Sequence, residues 1–122
     1  MQPTYSITID PARSLLRMAV SGFFDRPTLE RLVLDRNAAV DRLGCGRNRH
    51  VTLCDLTQHE LSSPEIVAEF RAMVGDPRYA SRRLAFIIAG ALARLQIRRI
   101  AERADVGYFT SIAEAEAWLF EP

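Results

Sequence analysis

Four side chains with metal-ligating chemistry, Cys45, His50, Cys54 and His59, fall within fifteen residues of a 122-residue chain. Their spacing matches none of the common structural zinc patterns. His50 and Cys54 fall in one expected strand, about 13 Å apart at ~3.3 Å per residue. The donor atoms of a tetrahedral zinc site lie only about 4 Å from one another. No metal is implied, and Cys54 reads as a small core residue. The two cysteines form no CxxC pair, so neither a redox motif nor a disulfide framework is expected.

A second combination is Asp55 with His59 and Ser62 or Ser63, the acid, base and nucleophile types of a hydrolase. All lie near the carboxyl end of one strand, the edge where open α/β sheets bind ligands. No GxSxG surrounds either serine, so the nucleophile elbow is missing. Both serines suit helix caps, and Asp55 suits a carboxylate that takes loop N–H groups. No catalytic residue is assigned and the chain reads as a non-enzyme. Glycines offer no phosphate cradle, because Gly44 and Gly46 follow a helix and Gly90 stands alone before one. All sixteen basic residues are arginine, which excludes Schiff-base chemistry and a P-loop lysine. No cofactor is implied.

The elements that must position these residues follow from periodicity. Thr4 to Ile9 alternates as a strand, Asp10 to Arg13 is a turn, and Leu15 to Val20 returns as the second arm of a hairpin. Asp25 caps a helix with Pro27 in its first turn, an apolar stripe of Leu29, Leu32, Val33, Val40 and Leu43, and Gly44 as its stop. Arg36 projects from the middle of that stripe and is expected to snorkel to the rim, the alternative being a carboxylate or bound anion as its partner. A strand over His50 to Leu56 then leads to a helix opened by Ser63-Pro64-Glu65 and broken at Gly75-Asp76-Pro77. The nearly unbroken apolar strand Leu84 to Ala89 precedes a helix over Leu92 to Arg103. A short strand over Val106 to Phe109 and a last helix from Ser111, which has capping-box spacing to Glu114, complete the chain. The order ββαβαβαβα predicts one α/β domain over residues 1–122, with a mixed, mostly parallel sheet and flanking helices.

Several phrases resemble the anti-sigma-factor-antagonist-like superfamily (STAS, SpoIIAA-like), in its stand-alone, uncharacterised bacterial branch. They are Asp55-Leu56-Thr57, Leu61-Ser62-Ser63-Pro64, Arg83 to Ile87, and Phe109-Thr110-Ser111 through Glu114-Ala115 to Trp118-Leu119. In regulatory members a serine in an Asp-Ser-Ser-Gly phrase opens the second helix and is phosphorylated, which the resemblance carries to Ser63. Leu61 and Pro64 depart from that phrase, and the proline removes one N–H donor from the anion nest. The resemblance implies a non-enzymatic interaction or regulatory module. Some members of that branch are likened to CRAL-TRIO-type lipid carriers, which implies the alternative of a small apolar or lipidic ligand. Phe23, Phe24 and Leu61 on expected loops suit that alternative.

The loop site expected at the strand carboxyl ends comprises Phe24, Asp25, Asp55, Thr57, Ser62 and Gly90. An interaction surface is expected on the helix over residues 92–103. There Ala93, Ile97, Ile100 and Ala101 face the sheet while Leu92, Arg94, Leu95, Arg98, Arg99 and Arg103 face outward. Residues 78–103 carry seven arginines against Glu102 alone, a local balance of +6 in a chain whose net charge is +1. Arginine-framed leucines suit an acidic protein partner or a second copy. Nucleic acid is not expected, given the small net charge and the lack of an aromatic on that face. No signal-peptide layout or membrane-length apolar run is present, so the expectation is a cytoplasmic protein.

Overall fold

Alternation at the start of the chain folds as read. β1 (Thr4–Asp10) and β2 (Leu15–Ser21) pair antiparallel, with Thr4 opposite Ser21 and Asp10 opposite Leu15. Between them a 3₁₀ turn, Pro11–Arg13, ends on Ser14 in the left-handed region at φ 50°. The computed structural model describes residues 1–101 and 103–122. After β2 come α1 (Arg26–Leu43), β3 (Val51–Asp55), α2 (Pro64–Gly75), β4 (Arg83–Ile87), α3 (Ala91–Ile100), β5 (Val106–Phe109) and α4 (Ile112–Leu119).

The sheet runs β1-β2-β3-β4-β5, with every pairing beyond the hairpin parallel. Each crossover advances one strand in the same direction, and right-handed connections then place α1, α2 and α3 on a single face. Strand alternation divides the core accordingly. Leu16, Met18, Val20, Cys54, Leu84 and Phe86 meet the three helices, while Leu15, Val51, Leu53, Ala85 and Ile87 meet Ala115 and Leu119 of α4. β3 and β4 are buried on both sides, and β4 after Arg83 is accordingly an apolar run.

Caps fix the helix starts. Asp25 accepts from Thr28 N at 2.9 Å, and Ser63 and Ser111 accept from Ile66 N and Glu114 N in the same geometry. Gly44 ends α1 at φ +62°.

Three expectations need correction. The helix expected over 92–103 is Ala91–Ile100: Ala101 leaves helical geometry at φ −127°, so Arg103 lies beyond it. Phe24 is no loop-site residue, because its ring is 0 % exposed and packs 5.6 Å from Phe70 and 6.0 Å from His59, centroid to centroid. It sits one residue before the α1 cap, where the chain turns inward, and exposed Phe23 is the outward one. Arg36 does not snorkel, since it is only 6 % exposed. The C-terminal turn of α2 covers its path to solvent, so Arg36 Nη2 donates to Met73 O and Nε donates to Asn37 Oδ1, each at 2.8 Å. The guanidinium also lies 5.6 Å from the Tyr79 ring centroid.

Candidate functional site

The carboxyl ends of β2, β3 and β4 are tied together by short loop contacts. Gly22 N donates to Gln58 O, Glu60 N donates to Gly22 O, and Gly22 forms a parallel bridge with His59. Gly22 has φ +83°, and any Cβ there would overlap the carbonyl of Gln2, so this junction requires glycine. The loop after β3 is held from the opposite side by α3: Ser62 N donates to Gln96 Oε1 at 2.9 Å and Gln96 Nε2 donates to Ser62 O at 3.0 Å. Gln96 escaped the sequence reading because a glutamine on a helix face carries no signal of which loop it will meet.

The imagined acid–base–nucleophile set does not assemble. His59 Nε2 lies 3.1 Å from Ser62 Oγ, but His59 Nδ1 is buried with no partner among the described residues. Asp55 Oδ1 instead accepts from Thr57 N at 3.0 Å and from Thr57 Oγ1 at 2.8 Å, closing its own turn. The parity of β3 explains this. Asp55 shares the face of Val51 and Leu53 that meets α4, whereas His59 packs against Phe24 and Phe70 on the other side. Burial also lowers the His59 pKa, which weakens it as a base near neutrality. Ser63 is half-buried, with its hydroxyl oxygen engaged in the α2 cap. Gly90 precedes α3 at φ +93°, without a side-chain cap.

No group of three metal-ligating side chains converges among the described residues. Cys54 is buried, and burial pushes its thiol up to about 12, so it stays protonated and inert.

The outward face of α3 presents Leu92 at 69 % and Leu95 at 57 % exposure, beside exposed Arg94, Arg98 and Arg99. Leu92 and Leu61 line one shallow surface depression with His59, Glu60, Ala89 and Gly90, so the exposed leucines of two elements converge on the carboxyl edge of the sheet. Arg94 and Arg98 lie 5.4 and 5.9 Å from the Tyr108 ring centroid, which corrects the expectation of a face without an aromatic. Arg103 is not part of this surface. It forks onto the Asp105 carboxylate, at 2.9 Å from Nε and 2.7 Å from Nη2, and donates to Ser81 O.

No family model matches the chain, and no curated protein matches it. Among solved structures it is similar to an uncharacterised DUF3478-family protein with a SpoIIAA-like fold from Shewanella loihica PV-4, with a TM-score of 0.77 and 18 % identity. That alignment covers 98 % of this chain and 96 % of the other. It is also similar to an anti-sigma factor antagonist from Mycobacterium paratuberculosis, with a TM-score of 0.68, 14 % identity and the same coverage of 98 % and 96 %. These likenesses establish a SpoIIAA-like fold, as the sequence resemblance implied. No described helix is long and apolar enough to cross a membrane.

Proposed function

We propose that the protein is a non-enzymatic regulatory module that docks an acidic protein partner on α3 and the adjoining strand-end loops. The carrying observation is the convergence of Leu61 and Leu92 on one depression, with Leu95 exposed farther along α3 among Arg94, Arg98 and Arg99. Apolar anchors rimmed by guanidinium groups have the composition of an interface. The anti-sigma factor antagonist among the structural neighbours supports a protein partner. A second copy offering its acidic C-terminal helix is the weaker occupant, because Glu116 of α4 already pairs with Arg17 at 2.8 Å and Arg13 at 3.5 Å. Phosphorylation at Ser63 would place negative charge on the α2 N-terminus, where orphan N–H groups tolerate it, some way along the same edge.

The test is the double variant Leu95→Asp with Arg99→Glu, compared with wild type in affinity capture from the source cells and in light scattering. Both sites are exposed, so the circular dichroism spectrum and melting temperature should hold while the captured acidic partner is lost. Unchanged capture would show that this face is only solvated. A switch in oligomeric state between the two proteins would identify a second copy as the occupant.

A second reading, a carrier of a small ligand, is favoured by a slot in the core between the sheet and the three helices, of about 50 Å³. A cavity of ~150 Å³ holds one benzene, so an acyl chain does not fit this slot in its present shape.

A further inference from the structure

The two edges of the sheet differ. β5, at one edge, is four residues long with Gly107 inside it. β1, at the other, runs seven residues, Thr4-Tyr5-Ser6-Ile7-Thr8-Ile9-Asp10, and no further strand pairs with it among the described residues. Folded proteins blunt a long edge with proline, lysine or a bulge, because its row of free N–H and C=O groups templates another strand. β1 has none of these. Its register on β2 is unbroken, and its one charged residue is Asp10, at the last position.

The side chains of β1 are also incompletely covered. Tyr5, Ile7 and Ile9 point to the helical face and pack on the core, but all three are only half-buried. Thr4, Ser6 and Thr8 lie exposed on the opposite face, beyond the strands β3, β4 and β5 on which α4 packs. α1 packs on β1 and β2 together. Two strands at ~4.8 Å spacing take up about the 8–10 Å that one helix occupies. A sheet continued through β1 would therefore carry a second α1 beside the first at ordinary helix spacing.

We propose that β1 pairs antiparallel with β1 of a second copy, joining the two five-stranded sheets into one. The strand is self-complementary about Ile7. The register centred there pairs all seven residues, and it sets Tyr5 opposite Ile9, Ser6 opposite Thr8 and Thr4 opposite Asp10 of the other copy. An aromatic side chain meets a β-branched one, hydroxyl meets hydroxyl, and no like charges face each other. Tyr5, Ile7 and Ile9 of the two copies then form one apolar row beneath the paired helices. On α1, exposed Asp35 accepts from the Tyr5 hydroxyl and exposed Arg31 lies one turn earlier, so opposite charges come to the seam from each copy. Pairing uses up both β1 edges, so the assembly closes at two copies. The seam lies at the opposite side of the sheet from β4 and β5, which α3 connects, and it stands or falls independently of the partner docking proposed there.

The test follows sedimentation of the wild-type protein from micromolar to near-millimolar concentration, with amide hydrogen exchange at both extremes. A monomer–dimer equilibrium is expected, with slower exchange at high concentration for the β1 amides that point away from β2. Ser6→Lys with Thr8→Lys sets like charges opposite each other twice across the two-fold axis and should weaken the dimer at least about tenfold. Ser6→Lys with Thr8→Glu sets opposite charges there in the same register and should dimerise within about threefold of wild type. Both positions are exposed, so the circular dichroism spectra of the two variants should match wild type. A wild-type protein that stays monomeric at every concentration overturns the proposal whether or not the variants fold. A dimer that the double-lysine variant leaves intact, or whose β1 amides gain no protection, overturns the edge pairing. Equal weakening by both variants overturns the register centred on Ile7, and a dimer lost only in Leu95→Asp with Arg99→Glu assigns the contact to α3 instead.

Discussion

Replacing Arg36 by methionine should stabilise the ligand-free protein, an unusual direction for a core substitution. Burial lowers the Arg36 pKa from 12.5 to about 10. At 1.36 kcal/mol per unit, that shift is a penalty of roughly 3 kcal/mol for keeping the group charged in the folded state. A base whose folded pKa is lowered carries the whole penalty at every pH below about 10, where both states hold the proton. Against it stand the bond to Met73 O, whose loss costs about 1 kcal/mol, the bond to the half-buried Asn37 Oδ1, about 0.5 kcal/mol, and the Tyr79 ring contact, about 0.5 kcal/mol. Methionine keeps most of the side-chain length and can fill the space along α1 and α2. The balance is a gain of about 1 kcal/mol, which for a chain of this size raises the melting temperature by about 3–5 °C. Urea denaturation with tryptophan fluorescence at pH 7, with a thermal melt beside it, measures both. A variant that unfolds cooperatively at lower urea than wild type would refute the reasoning, because Arg36 would then be compensated by its neutral partners alone.

Burial, with Arg36 and Arg103 nearby, holds the His50 pKa down at about 4 against an ordinary 6.5. The unfolded chain therefore takes up the proton first, and stability should fall by up to roughly 3 kcal/mol as pH drops from 6.5 to 4. Urea titrations across that window should show a shallower slope for His50→Leu, the remainder belonging to His59 and, toward the acid end, to Asp25, Asp76 and Asp105, whose carboxyls are held below the usual range, and an unchanged slope would remove His50 as the cause. Phe24→Ala should cost about 3–5 kcal/mol, because its ring is fully enclosed by Phe70 and His59. Phe23→Ala should stay within about 0.5 kcal/mol, and equal effects in thermal melts would contradict the inward turn at Phe24.

The element order was legible because its signals are local. Alternation in Thr4–Asp10, the caps Asp25, Ser63 and Ser111, and the stop at Gly44 depend on residues within four positions of one another. The parallel sheet followed from that order, since strand–helix–strand units admit one handedness. The doubly buried strand β4 announced itself as an apolar run. What the sequence left undecided was how side chains meet across elements. Whether Arg36 reaches water depends on where the end of α2 comes to rest, thirty-seven residues further on at Met73. Asp55 and His59 are four residues apart, but the strand's parity and the turn after it send them to opposite faces of the sheet. The same holds for Gln96 on Ser62, Tyr108 beneath Arg94, and the isolation of His50. Periodicity fixes which side chains leave the helix on the buried face, but a charge there acquires its meaning only from the chain that closes over it.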